Sequence, residues 1–292
     1  MPLPLEKCEP EIFIPSSIKG LNEAYGSPLY NNDVLVSIHG KPAVGKTLFA
    51  YQEMMHAMSL GYNALYIDTE GGVREINKAW RETLMARFKP KKGGEYGKGY
   101  VEVRKNLESL LDFMGYKVEM KYKEAKIELR INDIYEGEFD KFVQKHDVKF
   151  VVLDSLSMPI LSVINDEQQN RPARATAMSL ITGSLLRVQE KAKCCALVIH
   201  HSSWNPTNPY EVFAKMWGGK RVHHASKRIL YMDMREKEDL KNYRRIWISR
   251  IEDEASYGKV VGVKISGVGM EDYEDVDSLL TEAEKKRLGA RE

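Results

Sequence analysis

Residues Gly40 to Thr47, GKPAVGKT, constrain this chain more than any others: they carry the spacing G-x-x-x-x-G-K-[ST] between the apolar stretch NNDVLVSIHG and the segment KTLFAYQEMMHAMSLG. Glycines at both ends let backbone N–H groups turn toward one point, and the lysine adds positive charge there, so such a loop holds phosphate. The bare pattern also arises by chance; what gives it weight is a buried strand leading in and a helix leading out. After the lysine, Leu48, Ala50, Tyr51, Met54, Met55 and Met58 recur at helical spacing until Gly61, which suits a helix end. The methionines read as core filler. The predicted cradle runs through Gly40, Ala43, Val44, Gly45, Lys46, Thr47 and Leu48, with Lys46 on the β and γ phosphates of ATP and the Thr47 hydroxyl on Mg2+.

The same order of apolar run and amphipathic segment returns in NALYIDTEGG with VREINKAWRETLMARF, and in KFVVLDS, ATAMSLITGSLLRVQEKAK and CCALVIHHS. It predicts an α/β fold with a mostly parallel twisted sheet flanked by helices. RILYMDM, RIWISRIED and KVVGVKISGVG, separated by turn residues, predict a C-terminal antiparallel extension. We expect a lead-in over residues 1–30 and a core over 31–270 with a charged insertion at about 89–149. An acidic tail over 271–292 should end in a short helix. Within the insertion, KVEMKYKEAKIELRI alternates as one or two exposed strands would.

Composition narrows the partners only weakly. A net charge of +2 over 292 residues is too mild to announce a nucleic-acid partner, so such an argument rests on local clusters. Cys194 and Cys195 are neighbours in a strand and point to opposite faces, which prevents a bridge between them. Reduced thiols of this kind fit a cytoplasmic protein. No apolar run approaches the roughly 20 residues of a membrane span, and MPLPLEKCEPEIF lacks the layout of a secretory leader.

Two carboxylates complete the chemistry. Asp154 closes the run FVVLD, and a carboxylate at the carboxyl end of a parallel strand faces the phosphates and holds Mg2+ through water. Ser155 is placed to support it. Glu70 ends ALYIDTE, where it can orient and deprotonate the attacking water; with Lys46 it forms the predicted catalytic pair.

The segment YIDTEGGVRE resembles the part of the RecA/RadA recombinase family that follows the phosphate-loop helix and carries the catalytic glutamate. WGGKRVHHASKRILYM resembles the family's segment after its second DNA loop, and RIEDEASYGKVVGVKISGVG its final hairpin. The resemblance runs in family order from about residue 15 to 270, closest to an archaeal-type RadA paralogue of the RadB-like and KaiC-like group. It implies a RecA-like P-loop NTPase fold, Mg2+-dependent ATP hydrolysis stimulated by DNA, single-stranded DNA as a partner, and a role in recombination or repair. It also implies self-assembly or a RadA-type recombinase partner.

Two loops bind single-stranded DNA in that family, and the counterparts are Ile164 to Arg174, with Arg171 and Arg174, and Ser202 to Arg221. The second offers Trp204, Tyr210, Phe213 and Trp217 for base stacking, and Lys215, Lys220 and Arg221 for phosphates. The pattern is broken in two places. His200, His201, Ser202 and Ser203 stand where the family carries an asparagine and a γ-phosphate-sensing glutamine, which alters the signal from ATP to DNA. EIFIP does not fit the Phe-x-x-Ala docking motif, so a core-only paralogue is expected rather than a filament-forming enzyme. Alternative readings on the same core are a RepA-like hexameric replicative helicase, which VIHHSS also resembles, and a KaiC-like nucleotide switch acting on protein partners.

Overall fold

The computed structural model describes residues 10–90, 94–123, 126–165, 167–203, 215–217, 219–250 and 258–289. The chain enters through β1 (Phe13–Ile14), α1 (Lys19–Tyr25) and β2 (Tyr30–Asn31), with β1 and β2 antiparallel. This lead-in is part of the core: Ile14, Ile18, Leu21 and Leu29 are buried. The phosphate-loop strand β3 (Leu35–Gly40) and helix α2 (Lys46–Ser59) follow. Ser17 donates its N–H at 3.0 Å, and its hydroxyl, to the buried Glu53 of α2.

After β4 (Asn63–Asp68) and α3 (Val73–Arg87), β5 (Gly99–Val103) pairs parallel with β4. Helix α4 (Leu107–Phe113) is capped by Asn106, whose side chain accepts from the Ser109 N–H. Strands β6 (Tyr116–Lys123) and β7 (Lys126–Ile134) then make a separate antiparallel hairpin. The expected insertion at 89–149 is therefore narrower. Its β5 belongs to the central sheet, and the hairpin alone forms a sheet of its own.

The chain continues with α5 (Glu138–Lys145), β8 (Val148–Asp154), α6 (Ser157–Leu161), α7 (Arg171–Ala192), β9 (Cys195–Ser203), β10 (Lys215–Met216) and α8 (Gly219–Ala225). Strands β11 (Ser226–Asp233), β12 (Tyr243–Arg250), β13 (Val260–Ser266) and β14 (Gly269–Tyr273) complete the sheet, before α9 (Val276–Leu279) and α10 (Glu282–Gly289). The order is β14-β13-β12-β11-β3-β9-β8-β4-β5, parallel from β11 to β5 and antiparallel from β11 to β14.

The apolar runs of the parallel strands are continuous because both faces are covered. Val36, Ile38, Phe150, Val152, Leu197 and Ile199 pack with Phe49, Met54 and Met55 of α2 on one side. Leu35, Val151, Leu153, Ala196 and Val198 pack with Leu110, Phe139, Ile181 and Leu185 of α4, α5 and α7 on the other. Cys195 lies in the first layer and Cys194 in the second, both as free thiols, as strand alternation requires. The acidic tail is anchored as well: Arg245 of β12 pairs with Asp233 at 2.6 Å and with Glu284 of α10 at 2.9 Å. Among the described residues no helix is long and apolar enough to cross a membrane.

Candidate functional site

Parallel pairing sets the carboxyl ends of the central strands along one edge of the sheet. Gly40 of β3 lies in register with His201 of β9 and Met232 of β11, and Asp68 of β4 with Asp154 of β8. Such an edge is where parallel sheets place their ligands.

The phosphate loop leaves from this edge, and its shape follows from crowding. A Cβ on Gly40 would stand 2.2 Å from the Met232 carbonyl oxygen, so β11 runs too close for any other residue. Gly45 adopts φ 105°, and Ala43, a residue with a side chain, adopts φ 63°. These left-handed positions on either side of Val44 curl the backbone into a concavity that suits an anion. Lys46 is buried and donates from Nζ to the carbonyls of Gly40 at 2.9 Å and Lys41 at 2.8 Å, so its charge is held inside the loop. Burial pulls its pKa down, while Asp154 and Glu70 oppose that shift.

Asp154 is 3% exposed and accepts from the Tyr66 hydroxyl at 2.6 Å. Burial raises its pKa to about 6, against the stabilising hydrogen bonds of Tyr66 and Thr47. A buried carboxylate beside a threonine hydroxyl, with its ionised form penalised by desolvation, fits a divalent cation. Thr47 and Asp154 are the residues that would hold Mg2+.

Glu70 stands two residues beyond β4 on a turn organised by Asp68. The Asp68 carboxylate accepts from the N–H groups of Glu70 at 3.1 Å, Gly71 at 2.6 Å and Val73 at 3.2 Å, which caps α3. Glu70 is half-buried and receives Ser155 Oγ at 2.6 Å and His201 Nε2 at 3.2 Å, both on Oε1. Its pKa is lowered, chiefly by the His201 hydrogen bond, so it is held as a carboxylate. Among the described residues no hydrogen bond engages the other oxygen, Oε2.

The structure brings Gly40, Ala43, Val44, Gly45, Lys46, Thr47 and Leu48 into one continuous loop and helix start, with Asp154 and Glu70 beside it. His200 and His201 diverge as adjacent strand residues do: His200 is buried against Ser37 at 3.0 Å, while His201 meets Glu70. The DNA-loop candidates are less uniform. Arg171 is exposed at the start of α7. Arg174 is 5% exposed and Trp217 9% exposed, with the guanidinium 6.0 Å from the indole, so the two pack on one another. Trp204, Tyr210 and Phe213 lie outside the described residues. Lys215 falls in β10, and Lys220 and Arg221 in α8.

Sequence reasoning missed Arg244. Although it sits in a strand, it is only 8% exposed and donates from Nε to the Val44 carbonyl at 2.7 Å and from Nη1 to the carbonyls of Lys241 at 2.6 Å and Tyr243 at 2.8 Å. The C=O and N–H of a trans peptide point opposite ways. Pinning the Val44 carbonyl therefore fixes the Gly45 N–H on the opposite side of the loop. The available signal was a pair of arginines, Arg244 and Arg245, at the head of the apolar run IWIS.

Comparison with known proteins agrees with this fold. The AAA domain family matches residues 13–207. Among solved structures, the RadB recombinase is similar at 18% identity, covering 88% of this chain and 98% of its own, with a TM-score of 0.61. A KaiC-like protein from the hyperthermophilic archaeon Pyrococcus horikoshii OT3 is similar at 16% identity, covering 90% of this chain and 99% of its own, with a TM-score of 0.58. No curated protein sequence matches the chain.

Proposed function

Since the chain belongs to the AAA domain family and has the fold of the RecA/RadA superfamily, we propose that it is a Mg2+-dependent ATPase that binds single-stranded DNA and assists homologous recombination or repair. The observation that carries the ATPase reading is the convergence of Lys46, Asp154 and Glu70 at one sheet edge, with Glu70 held ionised. The amides of residues 43–47 and the Lys46 ammonium bind and orient the phosphates. Thr47 and Asp154 would hold Mg2+, which would supply charge neutralisation for the phosphates. Glu70 Oε2 takes the proton of the attacking water, while Ser155 and His201 hold Oε1 and fix the plane of the carboxylate.

The DNA reading rests on the resemblance of the two loops and on exposed Arg171 at the head of α7. Its test is the ATPase rate with and without single-stranded DNA. Glu70→Gln should keep ATP binding and lose roughly 100- to 10,000-fold in turnover. Unchanged turnover would remove Glu70 from catalysis, and a rate indifferent to DNA would remove DNA as the partner.

A further inference from the structure

The hairpin of β6 and β7 has no part in the ATP site, yet it is attached at a telling place. Val118, Met120, Ile127 and Leu129, alternate residues of its inner face, pack on the layer that contains α7. At the outer end of that face, the Ile127 N–H donates to Asn170 Oδ1 at 2.7 Å. Asn170 lies within the first loop candidate and immediately precedes the exposed Arg171. Tyr122 pairs with Ile127 and is the next residue of the same alternation, but it overhangs: its side chain is 65% exposed.

The surroundings of this ring are cationic. Glu128 is shared among Lys123 at 3.5 Å, Lys126 at 3.2 Å and Arg130 at 3.3 Å, so one carboxylate meets three cations, and Lys121 is paired with Glu119 at 3.4 Å. Over residues 116–134 the sequence holds five cations (Lys117, Lys121, Lys123, Lys126, Arg130) against four carboxylates. Overall charge is therefore slight, and the case rests on where it lies. Tyr122 belongs to the inner face and the cations to the outer one, but the next pair along the hairpin is Lys123 with Lys126, so the exposed ring stands beside two cations at the tip. An aromatic ring next to cations is the arrangement that stacks a base and holds its phosphates. A protein partner would be favoured by a broad apolar patch, whereas the outer face of this hairpin alternates in charge and the exposed Ile131 and Ile134 lie at the far end of β7 from Tyr122.

From this we infer that the β6–β7 hairpin is an arm for single-stranded nucleic acid, with Tyr122 stacking a base and Lys123, Lys126 and Arg130 meeting the backbone on a path continuous with Arg171. This inference rests on the DNA reading above and extends it to a site outside the two loops.

The test uses the full chain. Fluorescence anisotropy should compare the wild type, Tyr122→Ala, and Lys123→Gln/Lys126→Gln/Arg130→Gln with a labelled oligo-dT at several salt concentrations. Tyr122→Ala should weaken binding roughly five- to tenfold, and Tyr122→Phe should restore it. The triple variant should flatten the slope of log affinity against log salt by about 2, since each lost phosphate contact on a single strand removes roughly 0.7. Oligonucleotides carrying 5-iodouracil should cross-link to Tyr122, and DNA-free ATPase should be unchanged in every variant. A wild type that fails to bind oligo-dT overturns the DNA reading and the arm together. A wild type that binds, with hairpin variants equal to it, overturns the arm alone. Variants with unchanged DNA affinity but altered assembly mass also overturn it, and assign the hairpin to a protein contact.

Discussion

Replacing Arg244 by methionine separates a side chain that shapes the phosphate loop from one that merely fills the protein. The substitution keeps much of the apolar stem and removes the donor to the Val44 carbonyl, which is buried at that bond. A buried carbonyl left without a donor costs about 1–3 kcal/mol, partly offset because a guanidinium pushed down in pKa by burial is no longer desolvated. Stability should fall by about 1–2 kcal/mol. The effect on ATP is separate: a Val44–Gly45 peptide free to rotate no longer presents its N–H to a phosphate oxygen. A hydrogen bond to a charged group contributes about 1.5–3 kcal/mol, which corresponds to a roughly 10- to 100-fold rise in Kd. Arg244→Lys keeps the charge but can reach fewer of the three carbonyls, and should fall between. Titration with a fluorescent ATP analogue gives Kd, and urea unfolding of the same samples gives stability. If the methionine variant lost stability while its Kd stayed within twofold of the wild type, the orienting role assigned to Arg244 would be refuted.

Three further outcomes follow from the site and the core. His201→Ala leaves Glu70 Oε1 with Ser155 alone; steady-state kinetics should show kcat down about tenfold with ATP affinity little changed, and equal kcat would show that the histidine does not position the carboxylate. Burial raises the Asp154 pKa to about 6, so protonation below that point removes the anchor for Mg2+; kcat/KM should fall about tenfold per pH unit on the acid side of 6, with the limb moving lower as free Mg2+ rises. Glu53 is raised by burial to about 7 from an ordinary carboxylate value of 4.5, so the folded state holds a proton that the unfolded chain releases, and its contribution is fully present below about 4.5 and lost as pH rises through 7. Denaturation of the wild type against Glu53→Gln should show their stability difference drifting in that direction over this window; a constant difference would mean that Glu53 does not titrate there.

What could be read from residues alone follows the distance over which the determining physics acts. The phosphate loop, the strand before it and the helix after it are local, and so were legible. The strand-end position of Asp154 needed only the expectation that FVVLD lies parallel in a sheet. Three of the last four strands announced themselves by alternation and turns, whereas β14 fell largely within what read as the acidic tail. The failures are long-range. Arg244 acts on Val44, which is 200 positions away, and no local pattern marks a strand arginine as the partner of a loop carbonyl. Trp217 and Arg174 looked like a stacking surface and a phosphate contact by type, yet burial joins them across the sheet edge. The charged stretch after α3 read as one insertion because β5 is polar enough to resemble a surface strand. As the edge of the sheet it leaves Val101 49% exposed, so its pattern could not show the pairing with β4.

The histidine at the end of β9 gives the departure from the family pattern a physical meaning. A glutamine there is expected to reach a phosphate; here the ring of His201 meets the carboxylate of Glu70. Its backbone is engaged too: the N–H donates to Ser157 Oγ at 3.1 Å, and the carbonyl accepts from the Trp217 N–H at 2.9 Å. Trp217 in turn lies against Arg174 in the first turn of α7. One residue thus joins the carboxylate proposed as the base to both DNA-loop candidates. Contiguity alone is not coupling, which needs an element with two arrangements that both sites bias. The Glu70–His201 contact is where such an element would act, because the ring holds Oε1 while Oε2 is the oxygen assigned to the water, so a shift at the end of β9 would turn the carboxylate. A glutamine sensor would report whether the γ phosphate is present. A histidine on Glu70 reports where the base is pointing, so a strand bound near Trp217 would act on turnover more than on ATP affinity.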